Sequence, residues 1–438
     1  MSIITSKYTM TPIHKNDTQT QQSQSSIISS LPILSDTCRI TDSRMLKDFK
    51  TQTFGGYNIS KASAALDKAI MEDKLEPALH WALQLFLSGI VNPLWSKLMS
   101  IACKIINIYN PKLPEFIYNK NIQWQSIVDN TKFSKENILL LRNHPSIRLL
   151  LAEMVSILVL SKKRKLNTLP KIHKNEFIID TFKSKLEAKD SRLIDTIIMD
   201  GDPSEIRISI NEMAHHIHHR NINKALYWLN WILEWEKINS KKYGKYECAS
   251  RTVSGVDAKY FKDVVWLIWA VIHKITQLKY SGSSNSFASN NFANTNEWNK
   301  QIQCLWQLYI NKFTPSTRTK KQNYMIWSML YITETIDYVV PLVDRPELLF
   351  QSLLGFDKII VSLKSQQVLH QPNNLLNVVV ENNYMKPQHF EELEKKKKQT
   401  IMAKQQAERE HLAKQKKINV ESLDKLDEMS KLDKYLFA

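Results

Sequence analysis

The 438-residue chain is 43% hydrophobic, enough to bury a sizeable core, and its 60 Lys and Arg against 43 Asp and Glu leave a formal charge of +17. That balance favours acidic partners, nucleic acid first and an anionic membrane surface second, although it also serves plain solubility. Only eight glycines occur, and neither GxxxxGK[ST] nor GxGxxG is present. This argues against P-loop and dinucleotide-binding folds and for an all-α protein, because tight hairpins and phosphate-cradling turns depend on the positive φ that glycine adopts cheaply.

Taken in chain order, residues 1–50 are rich in Ser, Thr and Gln without periodicity, as in QTQQSQSSIISS, and predict a disordered tail. Order is expected near Phe54-Gly55-Gly56-Tyr57. From there, apolar residues at spacings of three and four predict a first helical module over 51–160 and a second over 204–385, joined by a basic connection over 161–203. Within the second module, NSKKYGKYECASRTVSG (239–255) and the uncharged SGSSNSFASNNFANTN (281–296) read as flexible loops. The chain closes with a charged helical arm over 386–438, close to neutral overall. Its stripe of Leu423, Leu426, Met429, Leu432 and Leu436 suits docking on a partner or folding back on the domain.

The apolar runs are too short for a bilayer, which needs roughly 20 residues. LLLAEMVSILVL carries Glu153, and VVWLIWAVI soon ends. The N-terminus has no basic-then-apolar signal pattern. Cys38, Cys103, Cys248 and Cys304 lie far apart with no zinc spacing, and read as the reduced cysteines of an intracellular protein.

An internal repeat organises the middle. At an offset of 147, ISKASAALDKAIMEDKLEPALHWA (59–82) lies over IRISINEMAHHIHHRNINKALYWL (206–229). Ile59 falls on Ile206, Leu66 on Met213, Ile70 on Ile217, Leu75 on Ile222 and Trp81 on Trp228. Each copy reads as a helix, a polar turn and a second helix, which predicts a helical-hairpin repeat or solenoid-like bundle. In the later copy, Ile222, Leu226, Leu229 and Leu233 form one stripe, and Ala225, Trp228, Ile232 and Trp235 another. A helix apolar on two faces is buried between layers, so the tryptophans belong to the core and not to an exposed base-stacking platform.

Four histidines crowd EMAHHIHHR (212–220). Asp202-Pro203-Ser204-Glu205 predicts the helix start, with Asp202 as its cap. Ile206, Ile210, Met213, Ala214 and Ile217 then form the buried stripe. His215 and His219 point away from it, with His216 and His218 on opposite flanks. The four imidazoles cannot meet on one ion while the helix is intact. His215 and His219, spaced i,i+4 with Glu212 one turn earlier, remain the metal candidates, but two or three ligands on a solvent face are too few for a structural zinc site, and no metal is expected. The other readings are a polar helix face that gains charge in mild acid, and phosphate contact beside Arg220.

SKKRKLNTLPKIHK (161–174) carries six basic residues and no acid. Lys162, Lys163, Arg164, Lys165, Lys171 and Lys174, with Arg220, are the candidate nucleic-acid contacts. KKRK is also similar to a nuclear-import patch, and a solvated loop is the plain alternative. No Ser lies in GxSxG, and no Cys has an evident His partner.

FGGYNISKASAALDKAIMEDKLEPALHWALQLFLSG, YNPKLP (109–114), EMAHHIHHRNINKALYWLNWILEWEK and GVDAKYFKDVVWLIWAVI together resemble a helical family of nucleocytoplasmic large DNA viruses. The likeness covers roughly residues 54–275. The AL-x-W helices are also loosely similar to the collar helices of clamp-loader ATPases, without the ATPase domain. The family has no established activity, so the resemblance implies neither catalytic residues nor a cofactor. It implies a non-enzymatic scaffold near viral nucleic acid, in the host cytoplasm, virus factory, virion or nucleus. The alternative is a virion or factory adaptor that binds only proteins.

Overall fold

Asn58 starts the first long helix by accepting the Lys61 N–H at 3.1 Å. The computed structural model describes residues 36–369, apart from 131–132, 134–136, 179–180, 182 and 284–288. In chain order the α-helices are α1 (Ile59–Met71), α2 (Leu75–Leu87), α3 (Val91–Ile101), α4 (Leu113–Val128), α5 (Pro145–Leu160), α6 (Ser204–His218), α7 (Ile222–Tyr243), α8 (Val265–Ser283), α9 (Ser289–Ile310), α10 (Pro315–Thr333) and α11 (Pro346–Leu369). The fold is all-α, with no strand among the described residues, where Gln52 and Asn58 make an isolated bridge. No helix among them is long and apolar enough to cross a membrane.

The repeated sequences are the hairpins α1–α2 and α6–α7, each closely packed within itself. Helix α5 packs against α1, α2, α3, α4 and α11. Its LLLAEMVSILVL run is apolar on every side because every side meets another helix. The one charge in that run, Glu153, is met by Lys120 of α4 at 2.7 Å. In the later half, α8 and α10 pack on α6, and α10 also reaches α7. The halves meet where α4 lies on α9. There the Glu115 N–H donates to Gln301 Oε1 at 2.9 Å, and Lys312 pairs with Asp129 at 2.6 Å. Nine tryptophans, among them Trp124, Trp228, Trp269 and Trp327, are buried.

Four expectations change. Residues 36–50, assigned to the tail, are structured. Arg148 Nη2 donates to Cys38 O at 3.0 Å, and Lys364 of α11 donates to Thr37 O at 2.6 Å. The loop at 239–255 begins only after α7 ends at Tyr243, and its later part is anchored: the N–H groups of Cys248 and Arg251 donate to Lys262 O and Phe261 O, each at 2.9 Å. The loop at 281–296 is invaded from both sides, with α8 running to Ser283 and α9 starting at Ser289. Uncharged Ser, Asn and Ala do not prevent a helix when flanking turns are packed. Asp202 does not cap α6, whose N-cap is Pro203. Its carboxylate instead receives Arg251 Nη1 at 2.8 Å and Nη2 at 2.6 Å, and the Ala249 N–H at 3.0 Å. Residues 1–35 and the arm over 386–438 lie outside the described residues.

Candidate functional site

The buried stripe of α6 contains Ile206, Ile210, Met213, Ala214 and Ile217, but Ser209, Glu212 and His216 are buried beside it. At the repeat offset these three fall on Ala62, Ala65 and Ala69 of α1, which are also buried. Where the first hairpin shows methyl groups, the second shows a hydroxyl, a carboxylate and an imidazole.

The basic connection covers this polar seam. The Glu187 N–H donates to both Glu212 oxygens at 3.0 Å, and the Ala188 N–H to one of them at 2.9 Å. Asn211 Nδ2 donates to Asp190 O at 2.9 Å. The Glu187 side chain pairs with Lys224 of α7. A buried carboxylate needs such donors, and here the backbone of the covering segment supplies them.

His216 lies between two carboxylates, with Nε2 3.4 Å from Glu212 Oε2 and Nδ1 4.0 Å from Glu187 Oε2. Burial pushes its pKa down to about 4, so the ring is neutral at neutral pH. The half-buried His215 ring lies over His219 at 4.1 Å and edge-on to His216 at 5.2 Å. One ligand atom each from Glu187, His215 and His216 falls within 4.8 Å of the others. His219 is exposed, and its Nδ1 lies 2.9 Å from His215 O. Of the candidates His215 and His219, only His215 belongs to this group, and His216 stands in the place of His219. Helical geometry separates the four histidines correctly, but the third donor comes from the connection, which that geometry does not contain.

The basic candidates divide in two. Lys163 Nζ is held by Asp73 Oδ1 at 2.6 Å and by the carbonyls of Val159 and Ser161 at 2.7 and 2.5 Å. Arg164 pairs with Glu334 at 3.1 Å and lies 5.4 Å from the Tyr109 ring centroid. Both are engaged by the protein itself. Lys162, Lys165, Lys171, Lys174 and Arg220 are exposed and make no ion pair among the described residues.

No family model, curated protein or solved structure matches this chain. The site is therefore read from its own chemistry.

The connection that carries these lysines is not a slack loop. The Arg164 and Leu166 N–H groups donate to Ile105 O and Lys104 O at 2.6 and 2.8 Å. Further on, Asn230 Nδ2 of α7 donates to Pro170 O at 2.8 Å, and Tyr227 OH to Glu176 Oε2 at 2.7 Å. Burial opposes the Glu176 charge, but Lys185, the His173 N–H and Tyr227 outweigh it and hold the carboxyl down to about 2. What sequence reasoning missed is the burial of Glu212 and His216, since it put Glu212 on the solvent face and His216 on a flank. The available signal was the repeat itself, which lays them over two alanines in a buried register.

Proposed function

We propose that the protein is a non-enzymatic helical scaffold that holds nucleic acid along its basic connection, serving replication, late gene expression or genome packaging of a large DNA virus inside the host cell. The observation that carries this reading is the placement of Lys162, Lys165, Lys171 and Lys174. All four are exposed and have no acidic partner among the described residues, on a segment whose backbone is tied to the residues after α3 at one end and to α7 at the other. Cations held on a fixed backbone lose little freedom when they meet phosphates. The viral setting rests on the family resemblance.

Fluorescence anisotropy of labelled duplex and single-stranded DNA and RNA across salt concentrations tests this. Each phosphate neutralised contributes about 0.9 to the slope of log K against log salt on duplex DNA. A variant with Lys162, Lys165, Lys171 and Lys174 all changed to Gln is expected to bind more weakly with a shallower slope. An unchanged slope would remove the connection as the interface.

A second reading, a virion or factory adaptor that binds only protein, is favoured by one observation. Phe350, Leu354 and Val361 share an exposed face of α11, at 48%, 51% and 42% exposure. Under that reading the protein shows no salt-dependent binding to any polyanion. Polar replacements on that face then abolish recovery of its protein partner after nuclease treatment.

A further inference from the structure

We infer that Glu187, His215 and His216 form a site for one divalent transition-metal ion of the zinc type, with Glu212 orienting His216 from behind. The donors come from two segments distant in sequence, and one ligand atom of each lies within 4.8 Å of the others. His216 supplies the second observation. It is 1% exposed, and Nδ1, the nitrogen turned towards Glu187 Oε2, has no hydrogen-bond donor or acceptor in reach among the described residues. Buried polar atoms are paired in the great majority of cases, and a buried nitrogen that turns its lone pair to a carboxylate leaves a place that a cation fits.

The order of groups along the imidazole is that of a metal-bound histidine. Glu212 Oε2 faces Nε2 at 3.4 Å, which assigns the ring proton to that side and leaves the Nδ1 lone pair towards Glu187 Oε2 at 4.0 Å. Histidines that bind metals characteristically present the second nitrogen to a carboxylate in this way, which fixes the tautomer and raises the basicity of the first. Glu212 is itself immobilised by the Glu187 and Ala188 N–H groups. Glu187 Oε1 is occupied by Lys224, which leaves Oε2 for the ion.

Two imidazoles and one carboxylate suit zinc, with water completing a tetrahedron. At bond lengths of about 2.0–2.1 Å, tetrahedral donors stand about 3.4 Å apart. Glu187 and His215 must therefore draw in towards the fixed His216. Both can do so, since the Glu187 side chain is 42% exposed and His215 is half-buried. The Lys224 charge beside Glu187 opposes a second cation, so moderate affinity is expected. The His215–His219 pair is the weaker alternative, because His219 contributes no donor to the cluster.

The test uses tag-free, full-length protein stripped with a chelator and titrated with zinc by calorimetry, with cobalt as a spectroscopic probe. One ion per chain is expected, with a rise in Tm and the absorption of four-coordinate cobalt. Glu187→Gln and His215→Gln should each weaken zinc binding at least tenfold, whereas His219→Gln should change it less than twofold. Melting curves of the metal-free variants separate lost binding from lost folding. Failure of the intact protein to bind one ion would overturn the proposal. So would a His219→Gln loss equal to that of His215→Gln with Glu187→Gln unaffected, which would place the ion on the His215–His219 pair.

Discussion

Asp73 and Arg220 occupy the same turn position in the two repeated hairpins, and both have left-handed backbone, with φ of 56° and 58°. The turn geometry is thus duplicated together with the apolar pattern, although neither residue is the glycine that this conformation favours. Asp73 gains from its position by pairing with Lys163. Arg220 makes no ion pair among the described residues and projects from the turn that follows the histidine run.

Arg220→Gly should therefore stabilise the fold by about 1 kcal/mol, the usual cost of a left-handed residue with a side chain. In the nucleic-acid reading it also weakens DNA or RNA binding. Urea unfolding and anisotropy on the same variant check both directions. A destabilised variant would mean that the Arg220 side chain makes contacts the turn needs.

Glu212→Ala restores the residue found at the matching place in the first hairpin, but it should be destabilising. It removes the acceptor for the Glu187 and Ala188 N–H groups and leaves space in a close-packed seam. Loss of hydrogen bonds to a charged group, about 1.5–3 kcal/mol, sets the scale. Denaturant titration measures this. Tryptic cleavage after Lys183, Lys185 and Lys189 should accelerate as the cover loosens, and unchanged cleavage would argue against Glu212 as its anchor.

Arg251→Met breaks a buried pair and strands the Asp202 carboxylate, which is fully buried. A cost of about 3–5 kcal/mol is expected. Adding Asp202→Leu should recover much of that loss, because the penalty lies in the orphaned charge. Chemical denaturation of the single and double variants reads the coupling.

Burial pushes His80 and His273 down to about 4. The unfolded chain binds protons on these rings near 6.5, while the folded chain resists until about 4. Stability is therefore fully present above 6.5 and is lost as pH falls from there towards 4. The urea midpoint should drop through that window. His273 lies between Trp269 and Trp306, with ring centroids 5.6 and 5.0 Å away, so His273→Phe should flatten the dependence by about one proton. A midpoint independent of pH would show that these rings are solvated.

The helices and their buried faces were legible in the sequence because helical periodicity reports burial directly. Ile206, Ile210, Met213, Ala214 and Ile217 lie where their spacing placed them. The candidate site was half legible. His215 was found from the sequence alone. Glu187 was not, since its place depends on how a segment without periodicity crosses α6. Asp202 misled for a related reason. A residue positioned to cap a helix also fits any other nearby donor, and Arg251 offers a stronger one.

The polar seam on α6 has a consequence for measurement of length. A segment lying over methyl groups can slide at little cost, since apolar contact has no direction. One held by two N–H groups on a fixed carboxylate cannot. The near end is tied at Ile105 and the far end at Glu212, and Pro170 between them is held by Asn230, so the described stretch that carries the lysines behaves as a ruler. Under the nucleic-acid proposal, the distance between the lysines at its start and those further along is set by the fold, and a polyanion would be gauged by its charge spacing as well as its charge.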